Sequence, residues 1–259
     1  MSFWGPCSTP LTPVSAGISS WEIPDPVRRL LTLPAIASTY ELGLDGLASY
    51  CEALDVNNMN HEFFVLSDIV QAQGFGHVTR QGFVKGWKQA WEESEGQVEP
   101  NMASHRKHVR SQIGLVRSDP AVFGKVYRST FTTGKELGQR ELEMGQALTF
   151  WGMLFEPSMK SWHSTHVNWL AVWTDYLREK FGKETVDEDG ETEWVYSRSV
   201  SRDLWNQTRL FAAKTMEDET LGFWSEEQAW PGLVDEFVVW CQEKGKVAPR
   251  NGDRMEVEG

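Results

Sequence analysis

The chain has 259 residues, is 40% hydrophobic, and carries 37 acidic against 25 basic side chains, a formal net charge of −12. That length and apolar content fill one large core or two small ones, and the negative balance excludes a polyanion such as nucleic acid as principal partner. No run of about 18 apolar residues predicts a membrane span, and no basic stretch leading into an apolar one predicts a secretory signal.

Residues 1–34 contain Pro6, Pro10, Pro13, Pro24, Pro26 and Pro34 among serines and threonines, a composition that blocks helix and sheet and predicts a Pro-rich extension. From about residue 40 the apolar residues recur at three- and four-residue steps. Helices are predicted over 44–54, 60–73, 80–94, 100–113, 119–131, 141–155, 161–181, 202–215 and 231–242, an all-α protein. The one extended stretch is His77-Val78-Thr79, with Thr79 capping the helix that follows. Residues 93–110 and 185–199 read as insertions. The first carries His105, Arg106, Lys107, His108 and Arg110, expected to form a solvated helix face; the second is acidic and turn-rich, expected to form a surface loop. In 229–240 the stripe Trp230, Leu233, Phe237 and Trp240, continued by Cys241, predicts a buried helix face with Asp235 lying off it. Residues 243–259 are polar and aperiodic, and disorder is expected there. Nine of the thirteen tryptophans lie beyond residue 150, so aromatic packing is expected to dominate the C-terminal half.

Chemistry is scarce in this pattern. Cys7, Cys51 and Cys241 are odd in number and unpaired in spacing, which argues against a disulfide framework or a structural zinc and for the cytoplasm or nucleus. Cys51 and Cys241 fall on apolar helix faces and read as core rather than nucleophiles. His163 and His166 would present two metal ligands from one helix, with no third ligand in range. As calcium loops, a start at Asp55 puts Met59 and Leu66 where oxygens are needed, and a start at Thr185 puts Tyr196 in the glutamate position. The G-x-G of residues 73–83 lacks a preceding strand and a third glycine, and reads as a turn. No cofactor is expected, and a protein acting through its surfaces is favoured over an enzyme.

Several stretches fall into one order: LGLDGLASYCEALDV at 42–56, HVTRQGFVKGW at 77–87, KVYRSTF at 125–131, GQRELEMGQALTFWGMLF at 138–155 and VNWLAVWTDYL at 167–177. SRDLWNQTRLFA at 201–212 and AWPGLVDEFVVW at 229–240 complete it. Together they resemble the potentiating neddylation (PONY) domain of the defective-in-cullin-neddylation proteins over residues 40–242, flanked by the extension 1–34 and the tail 243–259. The resemblance implies a compact domain of EF-hand-like helix pairs without calcium, acting as a monomer. It implies a non-catalytic, scaffold-type co-ligase that holds a cullin C-terminal domain beside the neddylation conjugating enzyme and gains rate from proximity. The alternative is an EF-hand-derived adaptor that binds another basic protein through its acidic patch.

By motif position the resemblance assigns cullin binding to Asp203, Ala229 and Asp235. Pro231 fits the first turn of its helix, and Ser201 is the expected N-cap ahead of Asp203. An acid near a helix start is also favoured by the macrodipole with no partner at all. The resemblance further implies a pocket for the acetylated N-terminus of the conjugating enzyme, made by Leu44, Leu47, Phe63, Leu66, Ser67, Val70, Val78, Phe150 and Met153. A free amine would carry charge into that apolar site. Phe63, Ser67 and Val70 depart from the family's usual side chains, and the same residues would be apolar core in any helix pair.

Overall fold

The computed structural model describes residues 41–186, 190–225 and 227–247, so the extension 1–34 and the tail from 248 onward lie outside the described residues. In chain order the described elements are β1 (Glu41–Leu42), α1 (Leu44–Leu54), α2 (Glu62–Ile69), β2 (Val78–Thr79), α3 (Arg80–Glu93), α4 (Met102–Ser118) and α5 (Pro120–Thr133). Then follow β3 (Leu142–Glu143), α6 (Met144–Leu154), α7 (Trp169–Phe181), β4 (Gly182–Val186), β5 (Thr192–Tyr196), β6 (Ser199–Val200), α8 (Arg202–Glu217) and α9 (Gly232–Glu243). The protein is mainly helical, as predicted. Two antiparallel ladders join segments distant in sequence: Leu42 faces Val78, and Leu142 faces Val200.

Helix ends follow local chemistry. Thr79 Oγ1 accepts from Gly82 N at 3.0 Å, Ser201 Oγ from Leu204 N at 3.1 Å, and Asp119 Oδ1 from Ala121 N at 2.7 Å just ahead of Pro120. α2 stops at Ile69, short of the expected residue 73, because Gln71 adopts φ 52° and Ala72 N turns back to Ser67 O. It is apolar nearly all round and is the central helix of its half, with α3, α4 and α5 packed on it. α3 approaches so closely that a Cβ on Gly86 would lie 1.8 Å from Ile69 O.

Two expectations about local structure are corrected. Residues 161–168 are not helical: Ser164 N bonds back to Val167 O, and α7 begins only at Trp169, capped by Asn168. The segment 185–199 is not a loop, because Gly182–Val186 pairs with Thr192–Tyr196 as a hairpin. TEWVY supplies the β-branched and aromatic residues that suit a strand, and Arg178 and Arg198 lie over the Trp194 and Phe181 rings. Residues 187–189, at its turn, lie outside the described residues.

Aromatic packing dominates the C-terminal half, centred on Tyr127 of α5. Its hydroxyl donates to Trp205 O at 2.8 Å and accepts from Trp151 Nε1 at 2.7 Å, while Trp205 Nε1 donates to Tyr127 O at 2.8 Å. Trp205 stacks on both rings, at 4.6 Å from Tyr127 and 5.2 Å from Trp151.

The basic cluster on α4 is only partly a solvated face. Arg106 donates to Ala53 O and Arg110 pairs with Asp55 at the surface, but His105 is 1% exposed. Its ring stacks on Trp87 at 3.6 Å and shares a hydrogen bond with Tyr50 at 2.9 Å. Burial pushes the His105 imidazole down to about 3. An unfolded histidine titrates near pH 6.5, so below that pH only the unfolded chain takes up this proton. The contribution is therefore full above about pH 6.5 and is lost as pH falls toward 3, with His108 acting in the same direction. Between about pH 6.5 and 4.5, ahead of most carboxylates, stability is expected to fall by about 2–3 kcal/mol. His105→Phe should flatten that slope. Thermal midpoints against pH check it, and equal slopes for the two proteins would reject the assignment.

Candidate functional site

Asp203 stands in the first turn of α8 and is exposed, as the cap at Ser201 predicts. Asp235 stands in the first turn of α9 and is half-buried; Pro231 is the N-cap of that helix, one position earlier than expected. The α9 stripe also shifts: Leu233, Val234, Phe237, Val238 and Cys241 are buried, whereas Trp230 and Trp240 are only partly so. Ala229 is exposed.

Long-range contacts tie these segments together. Trp224 Nε1 donates to Asp235 Oδ1 at 2.9 Å, fixing the carboxylate against the 221–225 turn. Trp230, next to Ala229, packs edge-on against Phe211 of α8 at 5.6 Å, and Phe211 also meets Phe237 of α9 at 5.8 Å. Gln228 accepts from Trp230 Nε1 and donates to Phe223 O, which holds the backbone on both sides of Ala229. Ala229 and Asp235 thus share one corner at the start of α9. Asp203 lies about 12 Å along α8 from the Phe211 contact, on the same pair of packed helices. Neither carboxylate has an ion-pair partner among the described residues. Beside Asp235 a cavity of about 450 Å³ is lined by Tyr176, Trp224, Val239, Trp240 and Glu243. Trp224 was missed from sequence: it sits in an aperiodic segment, and nothing local marks its N–H as aimed eleven residues ahead.

The nine residues assigned to the conjugating-enzyme pocket divide. Leu47, Leu66, Ser67, Val70 and Val78 are fully buried in the core of the N-terminal half. Leu44 is 51% exposed, Phe63 and Phe150 lie just beneath the surface, and Met153 is half-buried. Leu66 and Ser67 lie on α2, Val70 at its C-terminal end, Leu47 on α1 and Val78 on β2, all packed in the core. Phe75, 41% exposed, joins the others by packing on Phe63 at 5.9 Å, and the backbone of Gly76 sits against Leu44. Phe75 and Phe150 both border a cavity of about 750 Å³ whose far wall is the hairpin, through Trp194 and Tyr196. The signal for Phe75 was an aromatic between two glycines, in a stretch read only as a turn.

His163 and His166 lie in the turn before α7 rather than on one helix. His166 Nδ1 meets Glu219 Oε1 at 2.5 Å and Ser164 Oγ donates to Glu219 Oε2 at 2.6 Å. The Ser164 bond first, and His166 next, hold the Glu219 carboxyl down at about 2. Among the described residues no group of three His, Cys, Asp or Glu is placed to hold a metal. Cys51 and Cys241 are buried, as the apolar pattern predicts, and burial pushes both thiols up to about 12. No described helix is long and apolar enough to cross a membrane.

Residues 102–240 match a family described as cullin binding. The chain is 34% identical over 215 residues to Defective in cullin neddylation protein 1 of Pyricularia oryzae, covering 79% of this chain and 69% of that protein. It is 25% identical over 207 residues to the protein of that name from Yarrowia lipolytica, covering 80% and 74%. To DCN1-like protein 4 of Homo sapiens it is 25% identical over 210 residues, covering 78% and 58%.

Proposed function

This chain belongs to the cullin-binding family of defective in cullin neddylation proteins, and on that premise we propose that it promotes cullin neddylation as a scaffold-type co-ligase. It binds a cullin C-terminal domain at one surface and the neddylation conjugating enzyme at another, and contributes proximity and orientation rather than a reacting group. The observation that carries the reading is the Asp235 carboxylate, held by the Trp224 indole beside the exposed Ala229, with no ion-pair partner among the described residues and with Lys180 of the neighbouring cavity paired to Glu236 instead. A basic partner side chain would meet an acid whose orientation is already fixed. Asp203 is the second acid of that surface.

For the conjugating enzyme the candidate opening is narrower than the family pattern implies. It consists of Leu44, Phe63 and Phe150 with Phe75 at the rim, and Met153 alongside. An acetylated, uncharged N-terminus suits such an apolar opening. The two ladders, each clamping the entries of two helices, α1 with α3 and α6 with α8, support reading residues 40–242 as two EF-hand-like units.

The test is a single-turnover cullin neddylation assay with and without the protein, using conjugating enzyme with an acetylated or a free N-terminus. Transfer should accelerate by about tenfold or more with the acetylated enzyme, and less with the free one. No acceleration with either form would reject the co-ligase reading in favour of a plain adaptor; equal acceleration would reject the apolar opening.

A further inference from the structure

Arg128 of α5 and Arg209 of α8 reach the same point over Gly124. A Cβ on that glycine would stand 3.3 Å from Arg128 Nη1 and 3.5 Å from Arg209 Nη1, so the two guanidiniums come together above bare helix backbone. Arg128, one turn on from Gly124, folds back toward the start of α5 as helical side chains do. Like charges held this close repel, and more strongly where water is excluded. Arg209 is half-buried, and burial first, then the Arg128 charge, hold its guanidinium below the ordinary range.

Nothing among the described residues offsets this pair. Neither arginine has an ion-pair or hydrogen-bond partner there, and Arg209 Nε is sealed from solvent with no acceptor. The helices supply no neighbouring acid. One turn either way from Arg128 stand Gly124, Lys125, Phe131 and Thr132, and from Arg209 stand Trp205, Asn206, Ala212 and Ala213. Lys125 is itself engaged, with Asp68 at 3.3 Å, and the other arginine of α8, Arg202, lies over the Phe131 ring. In a chain of net charge −12 this is a local excess of positive charge.

We infer that Arg128 and Arg209 together clamp a phosphate monoester. Two guanidiniums offer two positive charges and two planar N–H forks. A monoester at neutral pH brings nearly two negative charges and three terminal oxygens, whereas a carboxylate brings one charge and two oxygens. Arg128 is exposed, and Leu210 beside Arg209 is 44% exposed, so the clamp opens on the surface. It therefore admits a phosphate carried on a side chain of another protein or on a small molecule, the recognised group being the same. The clamp uses neither Asp203 nor Asp235 nor any residue of the apolar opening, and stands whether or not those surfaces are correct.

Three probes test it by NMR on the ¹⁵N-labelled full chain: glycerol 3-phosphate, an end-blocked Gly-phosphoserine-Gly peptide, and the same peptide with glutamate in place of the phosphoserine. Both phosphate esters should give saturable shifts at the amides of residues 121–131 and 206–213 and at the Arg209 Nε–Hε signal. The phosphopeptide should bind about tenfold tighter than the glutamate peptide. The tighter of the two esters identifies the carrier, protein or small molecule. Arg128→Gln and Arg209→Gln should each weaken both esters by about tenfold. Arg128→Gln changes an exposed position and relieves a repulsion, so its thermal midpoint should match or exceed the parent's, which separates lost binding from lost fold. Non-saturating shifts, shifts mapping elsewhere, a glutamate peptide as tight as the phosphopeptide, or parental affinity in Arg128→Gln would overturn the inference.

Discussion

Replacing Asp235 by lysine is expected to abolish retention of a cullin C-terminal domain in a pull-down while leaving the helical circular dichroism unchanged. The carboxylate lies in the first turn of α9, is half-buried, and is oriented by Trp224 Nε1 at 2.9 Å. Removing one member of a desolvated interfacial charge pair costs about 2–5 kcal/mol, roughly 30-fold to several thousand-fold in Kd. Lysine goes further, because it sets a like charge against a basic partner and also ends the bond to the indole. Fold damage should be small: the side chain has no ion-pair partner among the described residues, and the buried positions of α9 are Leu233, Val234, Phe237, Val238 and Cys241. Trp224→Phe separates orientation from charge. It keeps an aromatic ring, smaller than the indole, and loses the N–H, so binding should weaken by about 1 kcal/mol, roughly fivefold. If the lysine variant binds cullin like the parent protein, the patch has been misassigned.

Trp205→Ala is expected to be the most damaging single core substitution for stability. Trp205 stands two positions after Asp203, so the segment that carries this exposed acid also anchors the fold. Truncation removes stacking on Tyr127 and Trp151 and strands the Tyr127 carbonyl without its indole donor. Large aromatic-to-alanine changes in a core cost about 3–5 kcal/mol, a large fraction of the roughly 5–15 kcal/mol that keeps a domain folded. Tyr127→Phe should cost less, about 1–3 kcal/mol, because it leaves the Trp151 N–H and the Trp205 carbonyl without their buried partner. Urea unfolding checks both. A Trp205→Ala protein within about 1 kcal/mol of the parent would show that this cluster does not hold the C-terminal half together.

Much of the scaffold was legible because its causes are local. α1 runs from Leu44 to Leu54 as its periodicity predicts, and Thr79 and Ser201 cap the helices they precede. Cys51 and Cys241 are core because the apolar stripe runs through them. Where locality failed, a distant contact had decided the outcome. Residues 161–168 have helical composition, yet Ser164 and His166 are held by Glu219, more than fifty residues away in sequence. The acidic start of 185–199 concealed a hairpin whose Trp194 is packed by Arg178. His105 sits in a basic run, but the ring that stacks on it belongs to α3 and its hydrogen-bond partner to α1.

The candidate sites divide in the same way. The sequence by itself determined a mainly helical chain with acids at the starts of α8 and α9, because helix periodicity and capping depend on neighbours within one turn. It also carried the motif order that identifies the family. Only the tertiary structure decided that Trp224 orients Asp235, that five of the nine residues assigned to a conjugating-enzyme pocket are buried in the core, and that the exposed Phe75 packs on Phe63. The reason is physical: an apolar residue on a helix face has the same pattern whether another helix or a partner covers it, and packing alone distinguishes the two.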